Sequence, residues 1–138
     1  MATDTRTSRT VAEKFVQRLG AQDPAGIQEL FAEEIDWFVP GSDTLSWTGR
    51  RTRKDEVAEY FTTMWPHFVP GASEVGLDRV IVDGGDVMLL AVWTHTVAAT
   101  GKAFTTPAAL HLKVEDARIV HMHLYEDTLT VDEAFTAG

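Results

Sequence analysis

A chain of 138 residues with 44% hydrophobic content supports one domain with a core of its own and excludes a disordered class. Its formal net charge of −9 argues against nucleic acid as a partner, since phosphate binding needs a basic surface, and the absence of cysteine excludes disulfides and thiolate chemistry. No apolar run approaches the length that spans a bilayer, and the opening MATDTRTSRT lacks the apolar core of an export signal, so a cytoplasmic location away from membranes is expected.

Residues 1–9 read as a flexible tail and 10–138 as a single domain. Thr10 with Glu13 forms a capping-box pattern, and Val11, Phe15 and Leu19 recur at the spacing of one helix face. Asp23-Pro24 reads as the cap and first turn of a second helix with Ile27, Leu30 and Phe31 as its apolar stripe. A short strand, 35–39, follows and is stopped by Pro40-Gly41. Its alternation divides Asp36 and Phe38 from Ile35, Trp37 and Val39. Residues 42–51 read as a loop or ragged strand carrying Trp47, and the basic run Arg50, Arg51, Arg53 and Lys54 as a solvated helix start. Thr52 caps a third helix whose apolar face is Val57, Tyr60, Phe61 and Met64, ending after Trp65 at Pro66.

Strand-like segments then run to the end, at 73–82, 86–97, 102–114 and 118–125, with a last helical turn at 131–135. Short turns predict antiparallel pairing. Helices first and a curled antiparallel sheet afterwards is an α+β order. Three helices cover one face of such a sheet, so a homodimer through the other face is expected. The most apolar strand, 86–97, is rich in β-branched residues and carries His95 on the same face as Trp93 and Val97. A titratable ring among apolar neighbours is the first candidate for chemistry; the alternative is a core histidine satisfied by a hydrogen bond.

This order of elements, with Pro40-Gly41, Gly49-Arg50 and a closing Tyr125-x-Asp127, resembles the nuclear-transport-factor-2-like (NTF2-like) cone fold in its SnoaL-like branch. That branch includes polyketide cyclases, ketosteroid isomerases and limonene-epoxide hydrolases. The resemblance spans residues 8–135 and implies a conical apolar cavity between three helices and the sheet. At the positions where the isomerases carry an oxyanion-hole tyrosine, a catalytic base and a protonated aspartic acid, this chain has Phe15, Phe38 and Ala109. The steroid-isomerase route, for which the handling of a base plus an oxyanion hole is well understood, is therefore disfavoured. The epoxide-hydrolase route needs an Asp-Arg-Asp set, and Asp36 and Asp127 have no arginine at a matching position. The cyclase route fits better, with His95, His111 and Asp127 as counterparts of its histidines and aspartate.

The resemblance further implies which residues face the cavity. Asp36, Phe38, Trp93, His95, Ala109, His111 and Met122 are expected to point inward. Phe15, Phe61, Met64 and Trp65 are expected to roof the cavity, with Trp37 and Trp47 at its mouth. Asp127 has the opposite parity from Met122 and would need a β-bulge to turn inward. His121 and His123 also take that opposite parity and are expected at the dimer face or in solvent. Their His-x-His spacing lacks a third ligand nearby, so neither a metal nor any other cofactor is expected. The resulting expectation is a cofactor-free enzyme of cyclase or isomerase type, transferring a proton on an apolar carbonyl compound, with His95 as base or acid and Asp36 or His111 orienting it. The competing expectation is a non-catalytic ligand-binding or dimerisation module on the same scaffold.

Overall fold

The structure is a computed structural model that describes residues 4–137. Helix α1 spans Thr5–Gly20, with the Asp4 carboxylate accepting from the Thr7 N–H at 2.9 Å as its N-cap. Residues 5–9, expected as tail, are therefore helical; residues 1–3 of that tail lie outside the described residues, as does residue 138 of the expected domain. The reason is tertiary. Ser8 is buried and its hydroxyl donates to the Gly84 carbonyl at 2.6 Å, while the Gly84 N–H donates to Thr5 Oγ1 at 3.1 Å, which ties the first turn of α1 to a distant hairpin. Helix α2, Pro24–Glu29, has the Asp23 cap and first-turn proline that its sequence requires. Phe31, grouped with that helix in the sequence, instead opens strand β1, Phe31–Val39.

Strand β2, Gly49–Arg53, replaces the expected solvated helix start. Arg51 is buried in it, donating from Nη1 to the Trp47 carbonyl at 2.8 Å and from Nε to the Glu56 carbonyl at 3.1 Å. A 3-10 turn, Lys54–Glu56, then leads into α3, Val57–Met64. Here Glu56, not Thr52 or Asp55, does the capping: its carboxylate accepts from the N–H groups of Thr52 and Arg53 at 3.1 and 3.0 Å. Four strands follow: β3 Glu74–Asp83, β4 Asp86–Thr96, β5 Ala103–Glu115 and β6 Arg118–Glu126. Helix α4, Thr128–Phe135, ends the fold. The β5–β6 hairpin turns through Asp116 and Ala117 at φ 50° and 60°, the left-handed pair that a two-residue hairpin needs.

The sheet has the order β2-β1-β6-β5-β4-β3. Strands β3 to β6 pair antiparallel, as the short turns predict, and β1 enters beside β6 in parallel. The sheet is curled and unclosed, with the helices on its concave side, which is the expected α+β cone. Its core is one cluster that includes Phe15, Ile27, Phe31, Trp37, Val57 and Leu112. Each fully buried side chain of this size contributes roughly 1.5–3 kcal/mol relative to exposure.

The alternation of the strands decides what faces that core. In β1 the inward set is Ile35, Trp37 and Val39, and in β5 it is Phe104, Thr106, Ala108, Leu110, Leu112 and Val114. In β6, Met122 and Leu124 point inward. Asp36, Phe38, Ala109 and His111 therefore stand on the outer face, the reverse of the expectation. The larger apolar set on each strand takes the core because burying it removes more apolar area from water.

Candidate functional site

Between the helices and the concave face lies a cavity of about 350 Å³. Phe15 of α1, Tyr60, Phe61 and Met64 of α3, and Trp65 form its roof. Its floor is Trp93 and His95 of β4, Phe104 and Leu110 of β5, and Met122, Leu124 and Glu126 of β6. Trp47 closes one side, buried against His67 and Phe135 at ring distances of 4.8 and 5.3 Å. A wider groove of about 790 Å³ lies at the sheet edge, lined by Glu33, Glu34, Arg53, Lys54 and Asp55. It is open and charged and lacks the buried apolar wall that holds a small molecule, so the smaller cavity is the candidate site.

Three groups, His95, Glu126 and Tyr60, bring ionisable chemistry into that cavity. His95 lies face to face with Phe68, with ring centroids 4.2 Å apart and planes at 10°. A bridge between Phe68 and Val97 holds the segment after α3 against the end of β4 and so places Phe68 there. His95 Nδ1 is 2.7 Å from Ser73 Oγ. Burial pulls its pKa down to about 4, so at neutral pH the ring is uncharged. With Nδ1 engaged by Ser73, the other ring nitrogen is left to meet a ligand.

Glu126 ends β6 with its side chain in the cavity, and Trp93 Nε1 donates to its Oε1 at 3.2 Å. Burial pushes its pKa up to about 7, against the lowering effect of the Trp93 hydrogen bond. Strands β4 and β6 are separated by β5, a gap of about 10 Å, and the long indole bridges it. The β5 residues paired with Trp93 and Glu126 are Thr106 and Ala108, both small. Tyr60 also lines the cavity, and burial together with the nearby Glu126 charge pushes its hydroxyl pKa up, so it stays protonated. The cavity thus holds a neutral imidazole, a phenol and a carboxyl poised near neutrality, in otherwise apolar walls.

Of the residues expected at the site, Phe15, Trp47, Phe61, Met64, Trp65, Trp93, His95 and Met122 line this cavity. The other expected residues do not line it. Trp37 lies beneath it in the core, packed on Phe31 and Tyr60 at ring distances of 5.6 and 5.0 Å. Asp36, Phe38, Ala109 and His111 are on the outer face, where His111 Nε2 meets Asp86 Oδ1 at 2.9 Å. Asp127 caps α4, accepting from the Thr130 N–H and Oγ1 at 3.1 and 2.7 Å, and those hydrogen bonds hold its carboxyl below the usual range. No bulge turns it inward: the cavity carboxylate is its neighbour Glu126. The sequence does carry a signal for Glu126, which shares the parity of Met122 and Leu124, whereas the Tyr-x-Asp pattern points one residue further. Ser73 carries no sequence signal, since its role depends on the fold bringing the start of β3 beside the end of β4.

The whole architecture recurs in solved structures. An NTF2-like protein from Burkholderia pseudomallei K96243 is 19% identical, with 95% of this chain and 98% of that chain aligned at a TM-score of 0.85. TerC, co-crystallised with polyporic acid, is 15% identical, with 93% and 97% of the two chains aligned at 0.80. A putative isomerase from Rhodopseudomonas palustris is 17% identical, with 90% and 92% aligned at 0.71. At these identities the likeness is one of fold. No protein of curated function matches the chain. Residues 12–122 match the SnoaL-like domain, and with that match extending from α1 into β6 the chain belongs to the SnoaL-like family.

Proposed function

We propose that the protein is a cofactor-free enzyme that moves a proton next to a carbonyl of an apolar, ring-containing small molecule, in the manner of a cyclase or isomerase. The observation that carries this reading is Glu126, a carboxyl held near neutrality in an aromatic-walled cavity. A base with a pKa near the working pH combines the right protonation state with the strongest useful basicity. Glu126 takes the proton from carbon, holds it as the neutral acid and returns it elsewhere on the substrate, and the Trp93 Nε1 donor orients the carboxylate before the proton is taken and after it is returned. His95 serves as a neutral donor to the carbonyl oxygen, oriented by Ser73 rather than by Asp36 or His111. Its low pKa suits that role, because an imidazole that stays neutral polarises the oxygen without giving up its proton. TerC, a protein of the same fold, was crystallised with polyporic acid, which accords with an aromatic carbonyl ligand here.

The test is proton exchange with solvent. Polycyclic and aryl ketones are incubated in deuterated buffer, and label at carbons next to the carbonyl is followed by NMR. The expected outcome is enzyme-dependent exchange that falls about 10²–10⁴-fold in Glu126→Gln and less in His95→Ala. Ligands that quench tryptophan fluorescence equally in both forms, with no exchange in either, would favour the competing binding module. That second reading draws on Phe15, which lines the cavity where the resemblance implies a polar group in the isomerases. The expected homodimer also belongs to this proposal. The outer face exposes Ile81, Val92 and Tyr125, and a second copy stacked on that face covers them.

A further inference from the structure

The outer face also carries a cluster that the cavity does not use. Asp36 on β1 and His121 on β6 are direct register partners across the parallel pair. His123 follows two residues later on the same face of β6. His123 Nε2 lies 3.0 Å from Asp36 Oδ1, and His121 Nδ1 lies 3.4 Å from Asp36 Oδ2. The two imidazoles stack with centroids 3.9 Å apart and planes at 23°. One ligand atom from each of the three residues falls within 4.8 Å of the other two. The sequence hides this set, because its third donor is 85 or more positions away from the His-x-His pair.

We infer that Asp36, His121 and His123 form a binding site for one divalent first-row transition ion of the zinc type, with solvent completing its coordination. Two imidazoles and a carboxylate are a donor set suited to such ions. Ligands about 2.0–2.1 Å from a tetrahedral ion stand about 3.3 Å apart. The two imidazoles meet different oxygens of Asp36, at 3.0 and 3.4 Å, so the exposed carboxylate turns to offer one oxygen to the ion. The imidazoles are held in place: the His121 side chain is 12% exposed and that of His123 19%, and Phe38 packs edge-on against His123. Asp36 is 57% exposed, which leaves an entry path and room for water. The standing competitor is Arg50, whose Nη1 is 3.7 Å from Asp36 Oδ1; it is 68% exposed over the Phe38 ring and free to swing into solvent. His111, next in the row, is already engaged by Asp86 and is outside the donor set. The sheet separates this ion from the cavity, where Met122 and Leu124 point the other way. The ion therefore takes no part in the proposed reaction and clamps β1 to β6.

Tag-free full-length protein, stripped with chelator, is titrated with zinc chloride by calorimetry and with cobalt(II) by visible absorption. One ion per chain is expected, with cobalt d–d bands of a four- or five-coordinate site and a rise in Tm on adding zinc. Asp36→Asn and His123→Ala each weaken binding at least about tenfold with an unchanged far-ultraviolet spectrum. Arg50→Gln strengthens binding and His111→Ala leaves it intact. Absence of binding at millimolar zinc, binding unchanged in both ligand variants, or binding lost in His111→Ala would each overturn the assignment. None of these outcomes bears on exchange activity, so the two proposals fail separately.

Discussion

Glu126 and His95 titrate in the cavity in opposite senses, and the stability of the protein follows both. Glu126 has a folded pKa of about 7 against an ordinary 4.5, so the native state holds its proton longer than the unfolded chain. Stability from this group is greatest below 4.5, falls as pH rises toward 7 and is flat above. His95 has a folded pKa of about 4 against 6.5, so the unfolded chain takes up the proton first. Stability from His95 is intact above 6.5 and falls as pH drops toward 4. Between about 4.5 and 6.5 the two slopes oppose each other and largely cancel. Glu126→Gln keeps an acceptor for Trp93 and removes the alkaline-side cost. Urea unfolding should show this variant more stable than the wild type at pH 8 by up to about 3 kcal/mol, less whatever water screens at the half-buried carboxyl, and no such gain at pH 4. An equal gain at both pH values would mean that the carboxyl is not desolvated as described. Which carboxylate does this work was half legible in the sequence. The parity of β6 favours position 126, and the helix that follows explains why Asp127 is spent as a cap.

At the scale of elements, the loop between β1 and β2 shows how a buried charge organises a wall of the cavity. Arg51 ties the Trp47 carbonyl to the start of α3 and lies 3.6 Å from the Glu59 carboxylate. Arg51→Met leaves two carbonyls unpaired and frees Trp47 from its position. The expected cost is about 2–4 kcal/mol of stability, measured by denaturant unfolding, with weaker quenching of tryptophan fluorescence by aromatic ketones. A loss below about 0.5 kcal/mol would make Arg51 an ordinary surface residue. The elements themselves were mostly legible. Period-two runs marked β3 to β6 to within a residue or two, and Asp23-Pro24 marked α2. The misreadings fell where a partner distant in sequence sets the local structure. Thr5 and Ser8 are helical because Gly84 receives them, and Arg50, Arg51 and Arg53 stand in an edge strand because β1 lies beside it.

At the scale of the whole molecule, the curled sheet presents one face to the helices and leaves the other to be covered. Its outer surface joins an apolar stretch, including Ile81, Val92 and Tyr125, to the Asp36, His121 and His123 cluster near β1. Sedimentation of the full chain should give a dimer, and Val92→Asp with Tyr125→Asp should shift it to monomer while leaving the cavity intact. A monomeric wild type at tens of micromolar would remove the dimer from the proposal. Among the described residues no helix is long and apolar enough to cross a membrane. The sequence by itself determined most of the elements and their α+β order, because hydrophobic periodicity and turn chemistry are local properties of the chain, while the cone and its aromatic cavity were implied by the resemblance to the NTF2-like family. Only the tertiary structure decided which face of each strand looks inward, and so that Glu126 and not Asp36 lines the cavity. Alternation divides each strand into two faces, and the helices that pack on the sheet come from elsewhere in the chain and bury the more apolar one.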